Sequence, residues 1–153
     1  MTIVTKSYVL GFAFSPEPTA RCVLIERHKE DWQRGRVNGL GGHIKPGETQ
    51  TDAMIREFSE ESGIETVASD WMDMLTIHGD GWIMHVFRGA LTGQERLNEQ
   101  CKEGRVFWAE TPPPNMDRTA LWLYWLCRDY GCFGLPVNFM WKREEQENLV
   151  GEL

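Results

Sequence analysis

The sequence predicts an α/β fold of the α+β kind, a sheet sandwiched between helices. Two observations carry this expectation. Short segments of alternating or continuous apolar residues end at Gly, Pro, Asn or Asp, as strands do. Two longer stretches instead repeat their apolar residues at helical spacing. At 153 residues the chain is long enough for one domain, taken as 1–153, and it contains no repeat or low-complexity tract.

Taken in order, Val4–Phe14 and Arg21–Arg27 read as strands, separated by the turn Ser15-Pro16-Glu17-Pro18. A polar stretch from His28 to Arg36 leads into the glycine-rich Asn38-Gly39-Leu40-Gly41-Gly42. A helix is expected from about Gln50 to Ser62, with Thr49 as N-cap and Gly63 suited to the position just past its end. Trp71–Ile77 and Trp82–Leu91 read as strands around Gly79-Asp80-Gly81. Thr92 to Gly104 is expected as loop and Arg105–Ala109 as a short strand. After Thr111-Pro112-Pro113-Pro114, residues Asp117 to Tyr130 form a Leu- and Trp-rich helix, whose aromatics suit a core. The tail from Gly131 onward is ambiguous.

Composition narrows the function classes. The chain is 41 % hydrophobic and 25 % charged, ordinary for a soluble globular protein. No apolar run approaches the ~20 residues of a membrane span, and the N-terminus reads as a strand rather than a signal peptide, so a cytoplasmic protein is expected. Cys22, Cys101, Cys127 and Cys132 lack paired C-x-x-C spacing and are expected as reduced thiols. A net charge of −7 argues against stable nucleic-acid binding through the backbone. It leaves room for a small phosphorylated substrate, provided divalent cations bridge it to carboxylates.

Such carboxylates are present. In the expected helix, Glu57, Glu60 and Glu61 stand at i, i+3 and i+4 and so share one face. Ala53 lies one turn earlier on that face, leaving room beside it, while Met54, Ile55 and Phe58 project to the other side. Glu57 and Glu61 repel at i,i+4. Arg56 can pair with Glu60 but cannot balance all three acids. Hard oxygen ligands with room for water suit Mg²⁺ or Mn²⁺.

Residues 42 to 64, GHIKPGETQTDAMIREFSEESGI, resemble the signature box of the Nudix hydrolase superfamily. Gly42, Glu48, Arg56-Glu57, Phe58, Glu60-Glu61, Gly63 and Ile64 fill its specified positions. A chance match in register is on the order of 10⁻¹⁰ to 10⁻⁹ per starting point. The resemblance implies a Nudix-type α/β/α sandwich with a mixed central sheet. It implies a loop–helix–loop in which Glu57, Glu60, Glu61 and the Gly42 carbonyl hold catalytic Mg²⁺ or Mn²⁺. Arg56 and Glu48 would orient those ligands. The metals would neutralise developing charge and activate a water that attacks phosphorus, with Glu60 or Glu61 as the base.

The flanks are similar to the nucleoside-triphosphate branch of that superfamily, particularly the oxidised-purine (8-oxo-dGTP type) triphosphatases. Asn38 matches the Asn that reads the purine edge there, and an amide offers both donor and acceptor. Glu103, five residues before Trp108, matches an extra metal-binding Glu, with Glu99 as competitor. Asp117 is nearest to the base-binding acids of that branch, though an N-cap explains it equally. Arg27 is expected among the substrate-binding residues. Val37 departs from a common aromatic, and a single acid rather than a pair precedes the last helix. The implied reaction converts a (d)NTP to NMP and pyrophosphate. The alternatives are hydrolysis of ADP-ribose, a dinucleotide or an mRNA cap, or a non-catalytic nucleotide sensor. The expected state is a monomer or homodimer.

Overall fold

The computed structural model describes residues 5–129 and 137–140. It contains strands β1 (Lys6–Phe14), β2 (Cys22–Arg27), β3 (Val37–Asn38) and β4 (Leu40–His43), then helix α1 (Gln50–Ser62). After a short 3₁₀ turn at Ala68–Asp70 come β5 (Trp71–Gly79), β6 (Trp82–Ala90), β7 (Gln100–Cys101) and β8 (Gly104–Ala109). Helix α2 (Arg118–Arg128) and strand β9 (Val137–Met140) complete the order.

One sheet runs β7-β8-β2-β1-β6-β5-β9, with β3 paired to β2 and β4 to β1. Strand β1 is parallel to β6 and β5 is parallel to β9, whereas the other pairs are antiparallel, so the sheet is mixed as expected.

The alternation of β1 and β2 explains the layers. Leu10, Phe12, Phe14, Cys22 and Leu24 point into one core, which Ala120, Leu123, Tyr124 and Cys127 of α2 close. Val9, Ala13, Val23 and Ile25 point into the other, closed by Ala53, Met54 and Phe58 of α1. Each helix buries one stripe, and each fully buried Leu or Phe contributes roughly 1.5–3 kcal/mol.

Helix α1 has the expected bounds and caps. Thr49 Oγ1 accepts the Asp52 N–H at 3.1 Å, and Gly63 adopts φ 76° while its N–H bonds Ser59 O. Helix α2 begins one residue later than expected, because Asp117 is its N-cap and accepts the Ala120 N–H at 3.1 Å. The expected end of this helix at Tyr130 lies outside the described residues, as does Cys132. Cys22 and Cys127 are buried free thiols, and Cys101 is a partly buried one.

Three readings need correction. The Leu- and Trp-rich helix puts Tyr124 in the core but leaves Trp122 and Trp125 45 % and 46 % exposed, because they lie off its buried stripe of Ala120, Leu123 and Cys127. The stretch Thr92 to Gly104 is not all loop: β7 pairs Gln100 with Arg105 and Cys101 with Gly104. A two-residue ladder is too short to leave a periodic signal. Ala53 does not leave room beside the acids but is fully buried against the sheet, because α1 rolls its carboxylate side partly inward. The glycine-rich run is extended backbone: it splits into β3 and β4, which join neighbouring strands β2 and β1. Among the described residues no helix is long and apolar enough to cross a membrane.

Candidate active site and metal centre

The acids of α1 differ sharply in setting. The Glu60 side chain is 55 % exposed, that of Glu57 16 %, and that of Glu61 only 4 %. They lie on adjoining sides of the helix, and the side that carries Glu57 and Glu61 is turned towards the sheet while Glu60 faces outward.

Glu61 is the deepest. Its Oε1 accepts the Gly41 N–H at 3.0 Å, and its buried Oε2 makes no hydrogen bond. The nearest cation is Arg27 at the end of β2, whose Nη1 stands 3.6 Å from Glu61 Oε2 and 3.8 Å from Glu103 Oε2. Burial pushes the Glu61 carboxyl up to about 7, against the pull of Arg27 and the Gly41 N–H. The neighbouring Glu57 and Glu103 charges add to the rise. Glu103 reaches this place because the β7–β8 turn is tight, and its carbonyl accepts the His28 N–H at 2.9 Å. Glu99 instead has its carbonyl taken by the Val106 N–H at 2.9 Å, with its side chain exposed to solvent.

Arg56 organises the other side. Its Nε and Nη2 fork onto Glu48 at 2.7 and 2.9 Å. Nη1 donates to Glu57 at 2.8 Å and Glu60 at 3.3 Å, and Nη2 also reaches the His43 carbonyl at 2.9 Å. The fork holds Glu48 down at about 2, and the same contacts raise Arg56. One guanidinium thus fixes the loop after β4 to the middle of α1.

Gly42 stands against Glu57. A β-carbon there would lie 2.6 Å from both Cδ and Oε1 of that carboxylate, so only glycine fits the observed arrangement.

Asn38 follows Val37, and Val37 ties the chain to Asp117 through the backbone. The Val37 N–H donates to Asn115 O at 3.0 Å, and the Asp117 N–H donates to Val37 O at 2.9 Å. This brings the start of α2 alongside β3. Asn38 Oδ1 accepts its neighbour's Gly39 N–H at 2.8 Å, while its amino group makes no hydrogen bond with the described residues. Asp117 caps α2 with Oδ1 and faces Arg36 Nη1 at 3.5 Å with Oδ2.

Two groups beside the site went unmarked in the sequence. Arg36 lies on Asp117 and over the 69 % exposed Trp32 ring, 5.6 Å from its centroid. Asn115 bridges Glu26 at 3.2 Å and the Gly35 carbonyl at 3.0 Å. For Arg36 the only signal was its place at the end of a polar stretch next to the glycine-rich run, and for Asn115 only its place after the Thr111-Pro112-Pro113-Pro114 break.

Among the described residues no three His, Cys, Asp or Glu side chains stand together as a ready metal cage. The donor set still fits a hard divalent cation. It offers only oxygens, one of them the buried, unbonded Glu61 Oε2, in a place that raises a carboxyl to about 7 until more positive charge arrives.

A mixed sheet between two helices, one of them acidic and backed by a glycine strand, has the layout of a Nudix-type fold. The chain belongs to the NUDIX domain family, whose model matches residues 7–119. Two curated relatives are similar to part of it. The Escherichia coli (strain K12) "CTP pyrophosphohydrolase" is 29 % identical over 86 residues, covering 52 % of this chain and 64 % of that protein. The Mus musculus "Oxidized purine nucleoside triphosphate hydrolase" is 33 % identical over 86 residues, covering 56 % and 47 %. The match therefore spans about half to under two thirds of these relatives. Among solved structures, the NUDIX domain of Shewanella oneidensis NrtR complexed with ADP ribose shares the fold at TM-score 0.67 and 14 % identity, covering 82 % of this chain and 88 % of that one.

Proposed function

We propose that the protein is a metal-dependent pyrophosphohydrolase that converts a (d)NTP, with an oxidised purine such as 8-oxo-dGTP as a candidate, to NMP and pyrophosphate. The observation that carries the reading is that Glu61 and Glu103, from distant chain segments, face the same Arg27 guanidinium, with one oxygen of Glu61 buried and unbonded. Glu57, Glu60 and Glu61, with the Gly42 carbonyl and Glu103, hold Mg²⁺ or Mn²⁺ in this reading. Bound there, the ion supplies Lewis-acid charge to the phosphates and lowers the pKa of water.

The protein's own part is positional. Arg56 and Glu48 keep the α1 carboxylates aimed, and the Gly41 N–H fixes one oxygen of Glu61. Glu60 or Glu61 takes the proton of the attacking water. Arg27 meets phosphate oxygens at the inner end of the acid group. Asn38 offers its amino group, and Asp117 its carboxylate, to the edge of the base. The "CTP pyrophosphohydrolase" and "Oxidized purine nucleoside triphosphate hydrolase" relatives support a triphosphate substrate. The complete set of acids in the box supports an enzyme over a sensor.

The test is a substrate panel with Mg²⁺, following pyrophosphate, phosphate and nucleoside monophosphate separately. Triphosphates should give monophosphate and pyrophosphate. Orthophosphate release, or a clear preference for ADP-ribose, moves the chain to the alternative substrate classes. Absence of hydrolysis with tight nucleotide binding makes it a sensor.

A further inference from the structure

Arg27 stands in an unusual place for a residue that meets substrate. Its side chain is 13 % exposed, and its Nε is buried with no hydrogen-bond partner. Its Nη1 points at Glu61 and Glu103 together, at 3.6 and 3.8 Å, too far for full hydrogen bonds to either. Glu61 Oε2 is likewise buried and unbonded. Two charged groups that are nearly dry and half-satisfied form a loose pair, held by Coulomb attraction rather than by geometry.

The same carboxylates are the divalent-ion donors of the function proposed above, and this inference rests on that reading. We propose that Arg27 is a built-in counter-ion that occupies the inner end of the metal site, competes with the divalent ion for Glu61 and Glu103, and is freed for substrate phosphate when the ion arrives. Two like charges cannot both lie against Glu61 without a large repulsion. Metal entry therefore pushes the guanidinium off the carboxylates, and its buried, unpaired Nε means little is lost when it goes. The consequence is an order of binding: without the ion, Arg27 is engaged by acids and meets phosphate poorly. With the ion, the guanidinium has no carboxylate of its own and turns to the incoming anion. Arg56 also touches two of the proposed donors, Glu57 and Glu60, but its fork with Glu48 and its bond to the His43 carbonyl hold it in place when an ion arrives.

The test measures Mn²⁺ binding to the full chain, without nucleotide, from the loss of the free-ion paramagnetic signal. Wild type, Arg27→Met and Arg27→Lys are compared, with melting curves in EDTA and in Mn²⁺. Arg27→Met should bind Mn²⁺ about ten-fold tighter, the scale of one nearby charge removed. It should also melt lower than wild type in EDTA and recover more on adding Mn²⁺, since Glu61 then lacks any counter-ion but the metal. Arg27→Lys should fall between, because an ammonium holds one carboxylate where the guanidinium spans two. This variant decides the matter should Arg27→Met fail to fold. Unchanged or weaker Mn²⁺ binding in the folded variants overturns the counter-ion role and leaves the metal site intact. A wild type that binds no Mn²⁺ overturns the metal reading itself.

Discussion

Gly42→Ala isolates the geometry of the acid group with the smallest possible change. The new β-carbon would stand 2.6 Å from Glu57 Cδ, so the carboxylate must retreat by roughly 0.8 Å to reach ordinary contact at 3.4 Å. The obstacle is the end of a flexible side chain, 16 % exposed, which can swing towards solvent while keeping Arg56 as partner. Folding should therefore lose little, under about 1.5 kcal/mol. Catalysis should lose much more, because displacing a reacting or ligating group by about 1 Å costs on the order of 10²-fold. The expectation is a fall in kcat/KM of about 30- to 100-fold, or roughly 2–3 kcal/mol of transition-state stabilisation. Pyrophosphate release from the best triphosphate, with a thermal melt in parallel, measures both. Gly41→Ala is the contrast: its β-carbon would stand 2.0 Å from the Val9 carbonyl, backbone that the β1–β4 ladder fixes. That variant should lose the fold, at about 3 kcal/mol or more. A Gly42→Ala protein within about three-fold of wild-type activity, or one whose activity falls only as its melting point does, refutes the reasoning.

Four further outcomes follow from the same contacts. Glu61→Gln should lower kcat by at least ~10²-fold with the fold retained, and near-normal turnover sinks its role. Because the folded Glu61 carboxyl sits at about 7 against an ordinary 4.5, metal-free wild type should lose stability as pH rises from about 4.5 to 7; Glu61→Gln should flatten that slope in urea titrations. Arg56→Lys breaks the fork to Glu48 and should cost roughly 1–3 kcal/mol by denaturant melt, a loss that Glu48→Gln should partly overlap in the double variant. Asn38→Ala should cost about 5- to 150-fold in kcat/KM on the preferred base and little on the poorest, whereas equal losses and a lower melting point would leave Asn38 only its bond to Gly39.

Much of the fold was legible because helix signals are local. The Thr49 cap, the Gly63 stop and the buried Met54 and Phe58 all follow from neighbours a few residues away. The acids were legible by type and spacing, but not by depth. Helical angle alone places Glu57, Glu60 and Glu61 together, and only the roll of α1 on the sheet separates the buried Glu61 from the exposed Glu60. The sequence assigns Arg27 to the substrate, and its position between Glu61 and Glu103 had no local signal. Those three residues meet through sheet pairing, which depends on β2 lying beside β8 and on a β7 too short to recognise. The contact of Arg36 with Asp117 is hidden for the same reason: it exists only once α2 starts alongside β3.

The two cores of the sheet give this chain two nearly separate inheritances. The α1 side carries Glu57, Glu60 and Glu61, and α2 on the other side starts from Asp117, which is bonded to Val37 next to Asn38. Packing under α2 can drift through exchanges among Leu123, Tyr124, Cys127 and their neighbours, tilting that helix and shifting Asp117. Such changes leave the Arg56–Glu48 fork and the Gly42–Glu57 contact on the far face untouched. Under the proposed roles of Asn38 and Asp117, a descendant could thus acquire a different base preference by repacking one layer while the proposed metal site on the other passes on unaltered.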